Sequence, residues 1–215
     1  MVAGMTAGDG VRVGLRERKK QETRTALSLA AIRLSVERGW DNVTVEDIAA
    51  AANVSVRTFH NYFSSKAEAI AARHLDRMLR IADELRARPA SESLWDAIAT
   101  VVQAHLAPMP MPEADGAHAP DQQRINGLRL MLTEPALHGE VLKASAAAQT
   151  ALAGAIAERT GTDALRDVYP KLAAAVVAAA IAVAIEHSLR ADPPIPVDLL
   201  LHDVFDQLTA GLPGP

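Results

Sequence analysis

The chain has 215 residues, 49 % hydrophobic and 22 % charged, with a formal net charge of -4; this balance excludes global disorder and allows one large domain or two small ones. Cysteine is absent, which removes disulfide frameworks, thiolate nucleophiles, iron–sulfur clusters and Cys-ligated zinc. Aromatic residues are only 3 %, so the core is built from Ala, Leu, Val and Ile, a composition that favours an all-α fold. The opening MVAGMTAGDGVRVG has no apolar signal region. The longest apolar run, Leu172 to Ile185, is 14 residues, short of the roughly 18 of a membrane span. A cytoplasmic protein without a membrane partner is expected.

Charge is unevenly placed. Residues 1–66 hold ten Lys/Arg against seven Asp/Glu, and residues 67–215 hold twelve against nineteen. A basic module, rich in Arg12, Arg16, Arg18, Lys19, Lys20 and Arg24, precedes an acidic body. That asymmetry suggests a polyanion for the first part and self-association or small molecules for the second.

In chain order, residues 1–18 are expected as a flexible basic arm. A first helix runs over 19–38, with Leu27, Ala30, Ala31 and Leu34 at helical spacing and Gly39 as its C-cap. Thr44-Val45-Glu46-Asp47 has the form of a capping box opening a second helix of about two turns. Ser55 caps a third, to about Tyr62. Ser65-Lys66-Ala67-Glu68 opens a long fourth helix that Pro89 ends near Arg88. A fifth helix covers about 92–106. Prolines 108, 110, 112 and 120 then enforce a loop, in which Met109 and Met111 are candidates for a lid. Further helices are expected at about 122–132, 135–160, 164–190 with a bend or restart at Pro170, and 197–212.

The second and third helices, joined by a turn of about three residues, form a helix-turn-helix arrangement. At 100° per residue with Phe59 as zero, Phe63 falls near about 40°, Arg57 near about 160° and Asn61 near about 200°. The phenylalanines therefore face inward and Arg57 and Asn61 outward, flanked by Thr58, His60 and Ser64. Arg is the side chain that reads guanine bidentately, and Asn reads adenine. Thr44 and Lys66 stand at helix starts, where backbone N–H groups favour phosphate. Singly, such residues merely solvate a surface; it is the joint pattern that points to double-stranded DNA.

Val36-Glu37-Arg38-Gly39-Trp40, Thr44-Val45-Glu46-Asp47-Ile48-Ala49 and the run Val54 to Lys66 resemble the TetR family of bacterial transcription regulators. The likeness spans about 50 residues; the remainder matches only in helix count and length. The resemblance implies phosphate contacts from Thr44, Thr58, Tyr62 and Lys66, with Arg57, His60 and Asn61 nearest the bases and Ser55 at the cap of the same helix. His60 stands where the family often has a phosphate-binding tyrosine. Ser35 stands where the first helix usually has a core phenylalanine, which implies that Trp40 fills more of the small core.

The implied organisation is a helix-turn-helix DNA-binding domain over 19–66 and a helical ligand-binding and dimerisation domain over 67–215. One subunit reads one half-site, so a palindromic operator calls for a homodimer. Helices 8 and 9 are the expected interface, the former apolar all round and the latter carrying Leu199, Leu200, Val204, Phe205, Leu208 and Leu212. The alternative for helix 8 is a core helix within one subunit. The resemblance also implies an effector pocket, with Met78, Trp95, Ile98, Val102, His105, Leu128, Met131 and Tyr169 as candidate lining for a mostly apolar molecule. A fourth helix of about 20 residues spans about 30 Å, a rod able to link pocket and DNA-binding core. The expectation is a repressor released from its operator by ligand, with a coupling of about 1–3 kcal/mol.

No cofactor or metal is expected. The seven histidines form no H-E-x-x-H and no triad order. Glu134 and His138, at i and i+4, fit a surface ion pair better than a metal site. An all-α enzyme would leave the basic module unexplained. The other alternative is a DNA-binding regulator with no small-molecule ligand.

Overall fold

In the computed structural model of this chain the described residues are 7–106, 119–193 and 195–212, with the side chains of 7–15 and 119–124 outside that set. The expected loop with Met109 and Met111, and the side chain of Arg12, lie outside the described residues. Among the described residues there are nine α-helices and two 3-10 turns, and no strand. The helices are α1 (Ala7–Arg38), α2 (Val45–Ala51), α3 (Val56–His60), α4 (Lys66–Ala87), α5 (Leu94–Leu106), α6 (Ala119–Thr133), α7 (His138–Thr160), α8 (Val168–Arg190) and α9 (Val197–Thr209). The chain divides into two compact units between Arg73 and His74, within α4.

α1 departs from expectation. It begins at Ala7, so most of the segment expected as an arm is helical, through Gly8, Gly10 and Gly14. Each glycine disfavours a helix by about 1 kcal/mol, but extending an existing helix adds a hydrogen bond per residue without a new nucleus. Arg16, Arg18, Lys19 and Lys20 stand exposed along it. The helix ends where expected: Gly39 adopts φ 84 and ψ 152, a region open essentially to glycine alone.

In the first unit, Leu27, Ala30, Ala31 and Leu34 of α1 are buried together with Ile48 and Ala49 of α2, Phe59 and Phe63. α1 packs on α2, and α2 on α3. Ser28 and Ser35 are also buried, and their hydroxyls have no hydrogen-bond partner among the described residues. Trp40 does not complete this core. It sits half-buried in a 3-10 turn (Trp40–Asn42) under the Lys66 side chain.

In the second unit α8 packs on α7 and α9, and α5 packs on α9 and α7. α8 has a buried face and an exposed one. Ala173, Ala174, Val177, Ala180, Ile181 and Ala184 are buried, whereas Leu172 and Val183 are each 57 % exposed. By length and composition α8 is apolar enough to cross a membrane, yet this inner face lies in the core of the unit. Pro170 falls in the first turn of α8, where a missing N–H costs nothing, and the helix starts at Val168 rather than re-initiating. α9 turns Val197, Leu201 and Phe205 inward, flanked by Leu200, Val204 and Leu208, and leaves Leu199 exposed.

The end of α4 is fastened to α7. The Arg159 guanidinium donates to the carbonyls of Arg88 at 2.8 Å, Pro89 at 3.0 Å, Glu92 at 3.1 Å and Leu85 at 3.3 Å. These include carbonyls at the end of a helix, which have no partner within it.

Candidate functional site

The turn between α2 and α3 is set by backbone chemistry. Thr44 caps α2 in a reciprocal box: its hydroxyl accepts from Asp47 N–H at 3.2 Å, and the Asp47 carboxylate accepts from Thr44 N–H at 2.9 Å. Donation to the carboxylate from the Thr44 N–H and, at 2.7 Å, from the Thr44 hydroxyl, with Arg38 nearby, holds the Asp47 carboxyl below the usual carboxylate range. α2 closes with Val54 N–H donating to Ala49 O at 2.9 Å, while Asn53 takes φ 54, a left-handed conformation that Asn tolerates better than most residues. Ser55 then caps α3, its hydroxyl accepting from Thr58 N–H at 3.0 Å.

The faces of α3 follow the periodicity. Phe59 and Phe63 are fully buried, their ring centroids 5.8 Å apart. Ser55, Arg57, His60 and Asn61 are exposed, and Thr58 and Tyr62 half-exposed. The His60 and Phe59 rings are nearly perpendicular, with centroids 5.4 Å apart. Thr58 Oγ1 is 2.8 Å from Ser55 Oγ. An outward set of donors and acceptors therefore sits on a helix that two aromatic rings hold in place. That is the surface a duplex groove can take.

Lys66 differs from the rest of the expected set. Its ammonium donates to Trp40 O and, at 2.7 Å, to Val43 O, and lies 3.9 Å from the centroid of the Trp40 ring. The position at the start of α4 is as expected, but the side chain turns back to hold the segment that enters α2. Spacing alone carries no sign of this, because the two carbonyls lie 26 and 23 residues earlier.

The second unit contains a cavity of about 400 Å³ between α4, α6, α7 and α8. Of the eight candidate lining residues, Met78, Leu128 and Met131 line it; Trp95, Ile98, Val102, His105 and Tyr169 do not. Ile98 and Val102 are buried in the helical core, and Trp95 packs against it, because α5 gives its apolar face to α7 and α9. His105 Nε2 lies 2.9 Å from Glu84 Oε1, in ion-pair range but off hydrogen-bonding alignment. Tyr169 is 44 % exposed in the first turn of α8.

Unforeseen lining comes from α7, with Ser145 and Gln149, from alanines of α8, and from His74 of α4. His74 Nε2 is 3.4 Å from Ser145 Oγ. Burial, and secondarily the charge of Arg77, pushes the His74 pKa down. Among the described residues no group of three or more His, Cys, Asp and Glu is placed to hold a metal.

A capped short helix with a buried aromatic face and an outward polar face, preceded by a second short helix and a tight turn, defines a helix-turn-helix DNA-binding protein. Residues 29–72 match the model of the tetR family of bacterial regulatory proteins, and residues 92–213 match that of the MftR C-terminal domain. The transcriptional regulator TcmR of Streptomyces glaucescens is 35 % identical over 184 residues, covering 83 % of this chain and 79 % of the relative. The fatty acid degradation regulator FadR of Bacillus halodurans superposes with a TM-score of 0.58 at 18 % identity, over 90 % of this chain and 97 % of that one. The TetR family repressor AlkX of a Dietzia strain superposes with a TM-score of 0.51 at 21 % identity, over 86 % and 96 %. The chain belongs to the tetR family of bacterial transcriptional regulators.

Proposed function

We propose that this regulator is a cytoplasmic, homodimeric repressor that binds a palindromic operator and is released from it when a small, mostly apolar molecule enters the cavity between α4, α6, α7 and α8. The observation that carries the DNA reading is the placement of Arg57 and Asn61 on the exposed face of α3 while Phe59 and Phe63 are fully buried. In this reading Arg57, His60 and Asn61 face base edges. Thr44, Ser55, Thr58 and Tyr62 lie at the rim, toward phosphates. Residues up to about 66 form the DNA-binding part and the remainder serves dimerisation and ligand.

The outward apolar stripe of α8, with Leu172 and Val183, and the exposed Leu199 of α9 form the face for a second copy. α4 contributes His74 and Met78 to the cavity wall and begins at Lys66 beside the helix-turn-helix. A ligand that favours one placement of α4 therefore changes the half-site spacing a dimer can meet.

The test is selection of bound sequences from a random duplex library by the purified protein. The expected product is an inverted repeat, bound with a log–log salt slope of about -0.9 for each phosphate that Arg or Lys neutralises. An enriched single half-site without symmetry would overturn the dimer, and no enrichment at all would overturn the DNA reading.

A further inference from the structure

The cavity walls differ in chemistry. α8 contributes five alanines and two isoleucines, and α6 contributes Leu128, Met131 and Leu132. Among the described residues the polar lining comes from α4 and α7: His74, Ser145 and Gln149. Ser145 and Gln149 are one turn apart on α7 and so share a face, and His74 reaches to 3.4 Å from the Ser145 hydroxyl. The three groups thus form one polar edge on an otherwise apolar space, whose volume suits a small organic molecule.

No Asp, Glu, Lys or Arg is among the described lining residues. An ion seated against these walls would give up part of its hydration without a partner charge, which costs more than burying a neutral polar group. His74 does not supply that charge, since burial and Arg77 both disfavour its protonation. A neutral imidazole instead offers one donor and one acceptor, a hydroxyl offers both, and a carboxamide offers two donors and an acceptor.

We infer that the molecule recognised by this cavity is uncharged and presents a single hydroxyl or carbonyl group to His74, Ser145 and Gln149, with the rest of its surface against the alanine wall of α8. This rests on the proposed effector role of the cavity. The three residues then determine specificity. The alanines determine size, because any larger side chain at position 178 would occupy the space.

The test uses the full-length protein and displacement of the neutral fluorophore N-phenyl-1-naphthylamine. The competitors are two matched series: 1-decanol, decanoate and decylammonium; and 2-naphthol, 2-naphthoate and naphthalene. The hydroxyl member of each series is expected to bind at least about tenfold more tightly than its charged counterparts. His74→Leu and Ser145→Ala are each expected to weaken 2-naphthol by about tenfold, one hydrogen bond's worth, while leaving naphthalene unchanged. Retained naphthalene binding shows that the variant cavity is folded. Ala178→Leu should block every competitor, and undiminished binding to this variant would overturn the role given to the alanine wall.

Carboxylate or ammonium members binding as well as the hydroxyl would overturn the inference, as would variants that weaken naphthalene and 2-naphthol equally. Failure of the wild-type protein to bind the fluorophore or any competitor would instead overturn the effector role of the cavity itself.

Discussion

Replacing Lys66 by Met removes an ammonium that the structure engages three ways while keeping most of the apolar length of the side chain. Hydrogen bonds to a charged group contribute about 1.5–3 kcal/mol each, and a cation over an indole adds about 0.5–2 kcal/mol. Lys66 is only part-buried, and the carbonyls of Trp40 and Val43 regain some water in the variant. The net loss therefore falls below the sum, at about 2–4 kcal/mol. The chain has two tryptophans, and the second is Trp95 in the other unit, so a Trp95→Phe background makes Trp40 emission a reporter of the first unit alone. Urea unfolding should then show the midpoint lowered by at least about 1 M. Under conditions where the variant is folded, its salt slope for DNA should equal that of the parent. A side chain on phosphate would give the opposite result, an unchanged midpoint with a slope reduced by about 1 per subunit. That outcome would refute the assignment of Lys66 to the segment entering α2.

Arg57→Ala should cost about 1–3 kcal/mol on the selected site and relax preference at one base pair per half-site, with Asn61→Ala acting at a different pair; affinities for a set of singly substituted sites measure both. Ser28→Ala and Ser35→Ala should each raise the thermal midpoint of the first unit, because an unpaired buried hydroxyl costs about 1–3 kcal/mol; a lowered midpoint would reveal a partner for that hydroxyl. Asp47 has a depressed pKa in the folded state, so its contribution to stability is complete above the usual carboxylate range and is lost as pH falls through the folded value. Asp47→Asn should remove that acid-side loss from the pH–stability curve. His74 is also depressed by burial, so the unfolded chain takes up its proton first, and the second unit should lose stability as pH falls below about 6.5. His74→Leu should flatten the curve in that window.

The helix-turn-helix was legible because its determinants are local. Capping residues, a turn and two phenylalanines four residues apart fix which side of α3 faces out, and all of them lie within a few residues of what they act on. The contacts of Lys66 with Trp40 and Val43 were not legible, because those partners are remote in sequence. Glycines and charges predict an arm before residue 19, whereas growth from an existing helix carries α1 back to Ala7. The cavity was the least legible part. Helical periodicity shows that α5 has an apolar face, but it does not show whether that face meets another helix or an open space. Ile98 and Val102 met helices, while Ser145 and Gln149, polar residues on an alanine-rich helix, met the cavity. The same limit left α8 open to two readings, since an all-apolar helix serves a core with one face and can offer the other to a second copy.

Footprinting on the selected inverted repeat, comparing the parent protein with Arg57→Ala/Asn61→Ala, addresses the central assignment most directly. The parent should protect two symmetric half-sites whose centres lie about one helical turn, or a whole number of turns, apart. The double variant should fold normally and still bind DNA at low salt while leaving no sequence-dependent protection. An identical footprint from the two proteins would mean that the outward face of α3 does not read the bases.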